Sequence, residues 1–418
     1  MMEPQNEPQL PPVSPNGLYF NSSAVSLVIL AVLETEQPIK IPPHQLVSFL
    51  DTYLLSLHPR FSSVIVTGRD GEKRWKRVGV NLKDHIKTAV FPQGKSPEYY
   101  EGCFNDYLSE ISAEQLPETQ PLWEIHLVKY PTLNAAGNVI FKIHHAIGDG
   151  YSLMAALLSC FKRSDDPSLP LTLPNDGNVV GAGKRAAVSR VLAAVLSTAS
   201  DLWLNFSKTR FLEDDLSPIR SGDPTVGLRP ISAATMTFSL DEIKQIKSQL
   251  GMTVNDVITG AVFLGTRLYM HAVDPGSDGA DTTALVLLNT RMLRSYNSIE
   301  EMVKQETNSP WGNHFSFLHV TIPKLTTSTT ATSNDSDDAL EFVRAKRHSL
   351  AVPLTAKLLH LYRKLKGSEN VQTTIVSYMG ELRVSVAAEK GFIDPNTFKS
   401  CVETAFRLIR KSACTASH

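Results

Sequence analysis

The stretch that decides the fold of this chain is FKIHHAIGDG at residues 141–150, in which two adjacent histidines precede an Asp-Gly pair. Apolar side chains alternate over residues 138–143, which predicts a strand that runs into the histidines. Apolar side chains recur at helical spacing over residues 153–161, which predicts a helix that begins near the Asp-Gly pair. The histidines are therefore expected at the carboxyl end of a strand, on the turn into a helix, where open α/β sheets commonly hold reactive groups.

The chemistry of histidine indicates what this turn could do. His145 titrates near neutral pH, so its imidazole can take a proton from a hydroxyl group and later return it. A buried pair of hydrogen-bonded histidines in a tight turn is the alternative, and for a single histidine it would be the better interpretation. The whole pattern, in its strand–turn–helix context, favours a reactive site.

Five other stretches accompany this turn. They are SPNG at 14–17, PLWE at 121–124, TVNDV at 253–257, SYMGELRV at 377–384 and EKGFIDP at 389–395. The His-His-x-x-x-Asp-Gly pattern resembles the signature of acyl-CoA-dependent acyltransferases with the chloramphenicol-acetyltransferase-like fold. With the five stretches, the chain resembles the plant form of the wax ester synthase/diacylglycerol acyltransferase family from about residue 10 to about residue 412.

The resemblance implies a fold class and a reaction. The fold would be α/β, with two chloramphenicol-acetyltransferase-like domains, mixed sheets flanked by helices and a channel between the domains. The reaction would transfer a long-chain acyl group from fatty acyl-CoA, the co-substrate, to a long-chain alcohol or to diacylglycerol. No bound cofactor and no metal are expected. The resemblance also implies a membrane surface as partner, at the cytosolic face of the endoplasmic reticulum or also at the plasma membrane.

The resemblance assigns roles to seven residues. His145 would be the general base, and the rest of its motif would support it through His144, Asp149 and Gly150. Asn255, Asp256 and Arg291 are candidates for the substrate channel.

Two of these assignments, and one further stretch, have structural alternatives. Asp256 stands three residues after Thr253, a spacing that also fits a helix N-terminal cap. Asp149 is expected to orient the loop, with Arg291 at the end of a strand as its candidate partner. The stretch WGNH at 311–314 would line the channel or form a plain turn.

A nucleophilic serine is the competing mechanism. Ser152 lies close to the histidines, but no Gly-x-Ser-x-Gly elbow surrounds any serine of the chain. Acyl transfer without a covalent enzyme intermediate is therefore expected.

Composition excludes some functions. The 41 Lys and Arg balance the 42 Asp and Glu, so no broad basic surface for nucleic acid is expected. The four cysteines show no paired spacing, which favours a reducing compartment and no zinc site. No run of 18 or more uncharged apolar residues is present in the sequence, so we expect no transmembrane helix.

Shifts in composition predict four regions. Residues 1–15 are Pro-rich and expected to be disordered, and residues 16–162 would form the N-terminal acyltransferase domain with the motif. Residues 163–225 would be a linker, and residues 226–418 a C-terminal α/β domain. Within the linker, residues 187–206 predict an amphipathic helix, which either packs on the protein or lies on a membrane surface.

The end of the chain departs from the family pattern. The family carries a Ser-Asn-x-x-Gly-Pro turn and a further strand before the Ser-Tyr-Met-Gly hairpin, whereas here residues 361–370 run directly into Val371. The C-terminal domain is therefore expected to be shortened after residue 365, with impaired folding or activity as a consequence.

Two other functions stay open. The chain could be a catalytically impaired isoform that binds lipids or a partner. It could also be an acyltransferase for plant secondary metabolites, but that group should carry a late Asp-Phe-Gly-Trp-Gly motif, which this sequence lacks.

Overall fold

The computed structural model describes residues 12–22, 25–164, 166–168, 214–222, 230–289, 311–325, 371–378 and 380–415. The chain divides into two compact units, one formed by Met1–Val180 with Asn289–Phe315 and the other by Gly181–Leu288 with Ser316–His418. This division differs from the predicted one at residues 311–315, which we assigned to the C-terminal domain and which belong to the first unit. Residues 12–15, the end of the segment 1–15 that we expected to be disordered, are packed in the first unit: Val13 is buried and its amide donates to the carbonyl of Lys73. Residues 1–11, the predicted helix at 187–206 and the predicted shortening at 366–370 lie outside the described residues.

The first unit contains a four-stranded mixed sheet. Its order is β3-β8-β7-β6, in which β8 pairs antiparallel with β3 and β7, and β6 pairs parallel with β7. Two small two-stranded sheets, β1-β2 and β4-β5, accompany it. The strands are β1 (Asn21–Ser22), β2 (Val25–Ser26), β3 (Val28–Thr35), β4 (Ser63–Thr67), β5 (Lys73–Arg77), β6 (Ile86–Thr88), β7 (Trp123–Val128) and β8 (Gly137–His144).

Helices cover this sheet and enclose its core. The helices are α1 (Pro15–Phe20), α2 (Pro43–Phe49), a π-helical turn (Leu50–Leu54), α3 (Leu55–Leu57), a 3-10 turn (Pro59–Ser62), α4 (Pro97–Ala113) and α5 (Gly150–Ser159). Every residue of β7 is buried, as expected for a strand in the middle of a sheet that is covered on both faces. The apolar core joins Trp123 and Ile125 of β7, Phe141 and Ile143 of β8, and Leu153 of α5. The motif strand is therefore held at the centre of the unit.

The second unit is built on a three-stranded antiparallel sheet of order β12-β13-β9. Its strands and helices are β9 (Ile231–Ser239), α6 (Leu240–Leu250), α7 (Val254–Val273), a 3-10 turn (Pro275–Ser277), β10 (Thr283–Asn289), β11 (Phe315–Thr321), β12 (Val371–Tyr378), β13 (Glu381–Glu389) and α8 (Pro395–Thr415). Strands β10 and β11 form a separate two-stranded sheet. Within the described part of the chain, no helix is long and apolar enough to cross a bilayer.

Local signals in the second half are confirmed. Helix α6 begins at Ser239, whose hydroxyl accepts a hydrogen bond from the amide of Glu242, and ends at Gly251 with a φ of +62°. Strands β12 and β13 form the predicted hairpin around Gly380, whose φ is +81°. Asp394 caps α8, because its carboxylate accepts a hydrogen bond from the amide of Thr397.

Helices α7 and α8 pack closely at Gly265. A Cβ at this position would lie 2.6 Å from Cα of Val402, closer than carbon atoms can approach. We expect Gly265→Ala to reduce the free energy of unfolding by about 1–3 kcal/mol, because the overpacking outweighs the better helix propensity of alanine. Urea denaturation followed by far-UV circular dichroism measures this change. Gly102→Ala is the matched control: it lies in α4 with open space at its Cβ, and it should gain about 0.5–1 kcal/mol. Equal effects of the two substitutions would contradict the steric argument.

Candidate active site

The two histidines stand where β8 turns into α5. His144 is the last residue of β8, and α5 begins at Gly150. Asp149 is the N-terminal cap of α5, because its Oδ1 accepts a hydrogen bond of 3.0 Å from the amide of Ser152. The amide of His145 donates to the carbonyl of Leu27 at 2.9 Å, which ties the turn to the start of β3. The predicted strand, turn and helix are thus confirmed.

His145 lies between two aromatic rings and an asparagine. Its imidazole stacks on Phe20, with 4.2 Å between ring centroids, and meets the edge of Phe315 at 5.7 Å. Its Nδ1 lies 3.0 Å from Oδ1 of Asn313. His145 is 8 % exposed. Its Nε2 makes no hydrogen bond within the described residues, and this atom is not among the fully buried polar atoms that lack a partner. One nitrogen of the ring is therefore held and the other remains accessible.

Burial keeps both histidines neutral. It lowers the pKa of His145, whereas the hydrogen bonds that the ring donates to its own backbone and to Asn313, together with the charge of Asp149, oppose that shift. Burial lowers the pKa of His144 to about 4, and the charges of His145 and Lys73 add to this effect. A neutral imidazole is the form that can accept a proton. Nδ1 of His144 already accepts a hydrogen bond of 3.1 Å from the amide of Ala146, so His145 is the better placed of the two.

A segment from far along the chain closes over the turn. Trp311 donates from Nε1 to the carbonyl of Ile147 at 3.0 Å, and both the amide and the carbonyl of Gly312 hydrogen-bond the hydroxyl of Ser152 at 3.1 Å. Gly312 has a φ of +124°, a backbone conformation that residues other than glycine rarely adopt. We name Trp311–Phe315 the docking segment. Residues 311–314, which we expected either to line the channel or to form a plain turn, hydrogen-bond the turn that bears the histidines; a place in the channel stays a prediction.

The docking segment is fixed at its other end by α1. Asn16 is buried, and its Nδ2 donates to the carbonyl oxygens of Asn313 at 3.0 Å and of Phe315 at 3.3 Å. Almost 300 residues separate these partners in sequence. No local sequence pattern predicts a contact between residues so far apart. Asn16 itself belongs to SPNG at 14–17, one of the stretches on which the resemblance to the family rests.

Asp149 joins the helix to the docking segment. While Oδ1 caps α5, Oδ2 accepts a hydrogen bond of 2.9 Å from the amide of His314. The arginine that faces this carboxylate in the described structure is Arg60, whose Nη1 donates to the carbonyl of Ile147 at 2.8 Å. Burial lowers the pKa of Arg60 to about 10, and the charge of Asp149 opposes this shift. Arg291, the predicted partner, lies outside the described residues. Arg60 was not predicted as a site residue, because no motif in the sequence around it indicates such a role.

Asn255 and Asp256, two of the predicted channel residues, lie in the second unit. Asp256 and Thr253 form a reciprocal capping box at the start of α7, with hydrogen bonds of 2.9 and 3.1 Å between side chains and backbone amides. Asn255 is exposed at the first turn of this helix. The capping box accounts for Asp256 structurally, and the role of both residues in a channel stays a prediction.

The described residues of the turn offer few reactive groups. Among the described residues, no three His, Cys, Asp or Glu side chains are grouped as metal ligands. Ser152 cannot act as a nucleophile while its hydroxyl both donates to and accepts from the backbone of Gly312. The accessible Nε2 of a neutral imidazole is the reactive group that this geometry offers.

Comparison with known proteins identifies the family. Residues 18–258, more than half of the chain, match the model of the wax ester synthase/diacylglycerol acyltransferase catalytic domain, and residues 365–410 match the C-terminal domain of the same family. Wax ester synthase/diacylglycerol acyltransferase 11 of Arabidopsis thaliana is 27 % identical over 384 residues, which cover 85 % of this chain and 76 % of that protein.

Solved structures agree on the fold. The wax ester synthase/diacylglycerol acyltransferase from Marinobacter aquaeolei VT8 superimposes with a TM-score of 0.57 at 14 % identity, over 97 % of this chain and 100 % of that one. The first condensation domain of the CDA synthetase gives a TM-score of 0.56 at 11 % identity, over 97 % and 96 % of the two chains. The expected chloramphenicol-acetyltransferase-like fold is confirmed. The chain belongs to the wax ester synthase/diacylglycerol acyltransferase family of acyltransferases.

Proposed function

We propose that this acyltransferase moves a long-chain fatty acyl group from acyl-CoA to a fatty alcohol, forming a wax ester, and also to diacylglycerol, with His145 as general base. The observation that carries the proposal is the state of the imidazole: neutral, held at Nδ1 and accessible at Nε2. The names of the relatives supply the substrate classes.

The reaction follows from this geometry in two proton transfers. Nε2 of His145 takes the proton of the acceptor hydroxyl while the hydroxyl oxygen attacks the thioester carbonyl carbon. When the tetrahedral intermediate collapses, the bond between carbon and sulfur breaks, and the imidazolium returns the proton to the sulfur of CoA. The products are an ester and free CoA. No covalent bond to the protein forms at any step.

The aromatic surroundings of His145 suit a lipid acceptor. Phe20 and Phe315 both pack against the imidazole, so it has apolar neighbours. Apolar surroundings favour an acceptor alcohol that is itself apolar and disfavour water, which would hydrolyse the thioester.

Purified protein provides the direct test. The full chain is incubated with radiolabelled palmitoyl-CoA and either hexadecanol or a diacylglycerol in mixed micelles, and esters are separated and counted. We expect ester and free CoA in equal amounts. Folded protein that forms no ester with either acceptor would refute the proposal and favour the impaired isoform. Ester formed only from acetyl-CoA and a small aromatic alcohol would favour the secondary-metabolite acyltransferase.

We also propose that the protein works at the cytosolic face of the endoplasmic reticulum membrane. Fatty alcohols and diacylglycerol partition into bilayers, so an enzyme that uses them gains substrate at a membrane surface. Cell fractionation of the full chain, and of a variant without residues 187–206, tests this. A protein found entirely in the high-speed supernatant would contradict the membrane proposal.

A further inference from the structure

Asn313 makes two hydrogen bonds to the same histidine. Its Nδ2 donates to the backbone carbonyl of His145 at 2.8 Å, and its Oδ1 lies 3.0 Å from Nδ1 of the imidazole. Asn313 is 6 % exposed, so water does not compete for these bonds. The pair spans 168 positions of the sequence.

The carbonyl of His145 decides the orientation of the asparagine amide. A carbonyl oxygen has no proton to give, so only the NH₂ group of Asn313 can face it. The reverse orientation would place two oxygens 2.8 Å apart with no proton between them. Oδ1 of Asn313 must therefore be the atom that faces the imidazole.

The orientation of the amide in turn decides the tautomer of the imidazole. Oδ1 can only accept a hydrogen bond, so Nδ1 of His145 must carry the proton and donate it. A neutral imidazole protonated at Nδ1 has its basic lone pair on Nε2.

We propose that Asn313 is a positioning residue that fixes His145 in the Nδ1-protonated tautomer, so that Nε2 is always the nitrogen presented to the acceptor hydroxyl. This inference rests on the proposed function for its catalytic consequence, while the tautomer itself is a property of the free protein. The hydrogen bonds of Asn16 to the backbone of Asn313 and Phe315 keep the asparagine in register with the ring.

Nitrogen NMR of the full chain with ¹⁵N-labelled histidine tests the tautomer directly. The signals of His145 are identified among the 12 histidines by their loss in His145→Ala. We expect a protonated Nδ1 and an unprotonated Nε2 at pH 7.5 in the wild type. A proton on Nε2 of the wild-type protein would overturn the proposal, whatever any variant does.

Two substitutions separate positioning from simple stability. In Asn313→Ala we expect the fixed tautomer to be lost and kcat to fall roughly 10- to 100-fold, with KM for acyl-CoA changed less than about two-fold. Asn313→Asp retains an acceptor for Nδ1, so the tautomer should be restored. The variant should be less stable than the wild type, because its second carboxylate oxygen faces the carbonyl of His145 with no proton between them. Its charge should also raise the pKa of His145 and move the acid limb of the pH–rate profile to higher pH. An alanine variant with the wild-type tautomer would overturn the proposal.

Asn138→Ala is the matched control. Asn138 is also a buried asparagine, on the strand that carries the motif, and its Nδ2 contacts Oγ1 of Thr132 at 3.4 Å. We expect its loss to leave the tautomer of His145 unchanged. A protein with the expected tautomer but without ester formation would refute the proposed function and leave the role of Asn313 standing.

Discussion

His145→Ala is expected to lower kcat/KM for acyl transfer by about 10²- to 10⁴-fold, the range typical for loss of a general base. The substitution removes the accessible Nε2 and with it the acceptor for the hydroxyl proton. It also removes the stacking on Phe20 and the bond to Asn313, so the fold must be checked by circular dichroism and thermal unfolding. Release of CoA from palmitoyl-CoA in the presence of hexadecanol measures the rate.

His144→Asn is the matched control for this substitution. Nδ1 of His144 accepts a hydrogen bond from the amide of Ala146, and an asparagine Oδ1 can take over this bond without titrating. We expect the variant to retain most of the wild-type activity. Ester formation that survives in His145→Ala, or that is lost equally in both variants, would contradict the assignment of His145 as the base.

The activity of the wild type should also persist into mildly acidic solution. Burial lowers the pKa of His145 below the ordinary value, which is about 6.5 for a free histidine. Since the base must be neutral to accept a proton, kcat/KM should fall only when the pH drops below that ordinary value. This acid limb is the profile against which the shift in Asn313→Asp is measured.

Local sequence signals predicted the turn because its determinants are local. The alternation in β8, the cap at Asp149 and the helical repeat of α5 lie within 25 residues, and each acts through hydrogen bonds between near neighbours. The same holds for the start and end of α6 and for the β12-β13 hairpin. Such elements follow from backbone geometry and capping.

The shell around His145 could not be predicted in the same way. Phe20, Arg60 and Asn313 come from three separate places in the chain, and only tertiary packing brings them to the turn. Arg291 was predicted as the partner of Asp149 because it stands at the end of a predicted strand. The residue that faces the carboxylate in the described structure came instead from the 3-10 turn before β4. The chemistry of histidine therefore predicts His145 as the base, whereas the residues that surround it are determined by tertiary packing.

Acidification is expected to destabilise the first unit already between pH 7 and pH 5. Burial lowers the pKa of His58 to about 3, with the charges of Arg60 and Arg77 adding to the effect, and lowers the pKa of His144 to about 4. Between these values and about 6.5, the unfolded chain binds two protons that the folded unit does not. The contribution of these two histidines to the free energy of unfolding is therefore fully present above pH 6.5 and decreases as the pH falls.

The expected loss is large. Each unit of pKa shift corresponds to about 1.4 kcal/mol, so the two histidines together should reduce the free energy of unfolding by about 3–4 kcal/mol between pH 7 and pH 5. Urea denaturation at a series of pH values measures this, followed by tryptophan fluorescence. Trp75, Trp123 and Trp311 all lie in the first unit, so the signal reports mainly on that unit.

The double variant His58→Asn/His144→Asn distinguishes these histidines from the other groups that titrate. Nδ1 of His58 accepts a hydrogen bond from the amide of Arg60 at 3.2 Å, and the ring stacks on Trp311. Asparagine preserves the acceptor at both positions, loses the stacking, and carries no proton at any pH of interest. The variant should be less stable than the wild type at pH 7 and should lose much less stability between pH 7 and pH 5.

A double variant that keeps the full pH dependence would show that the acid sensitivity resides elsewhere, for example in His85, whose pKa is also lowered by burial.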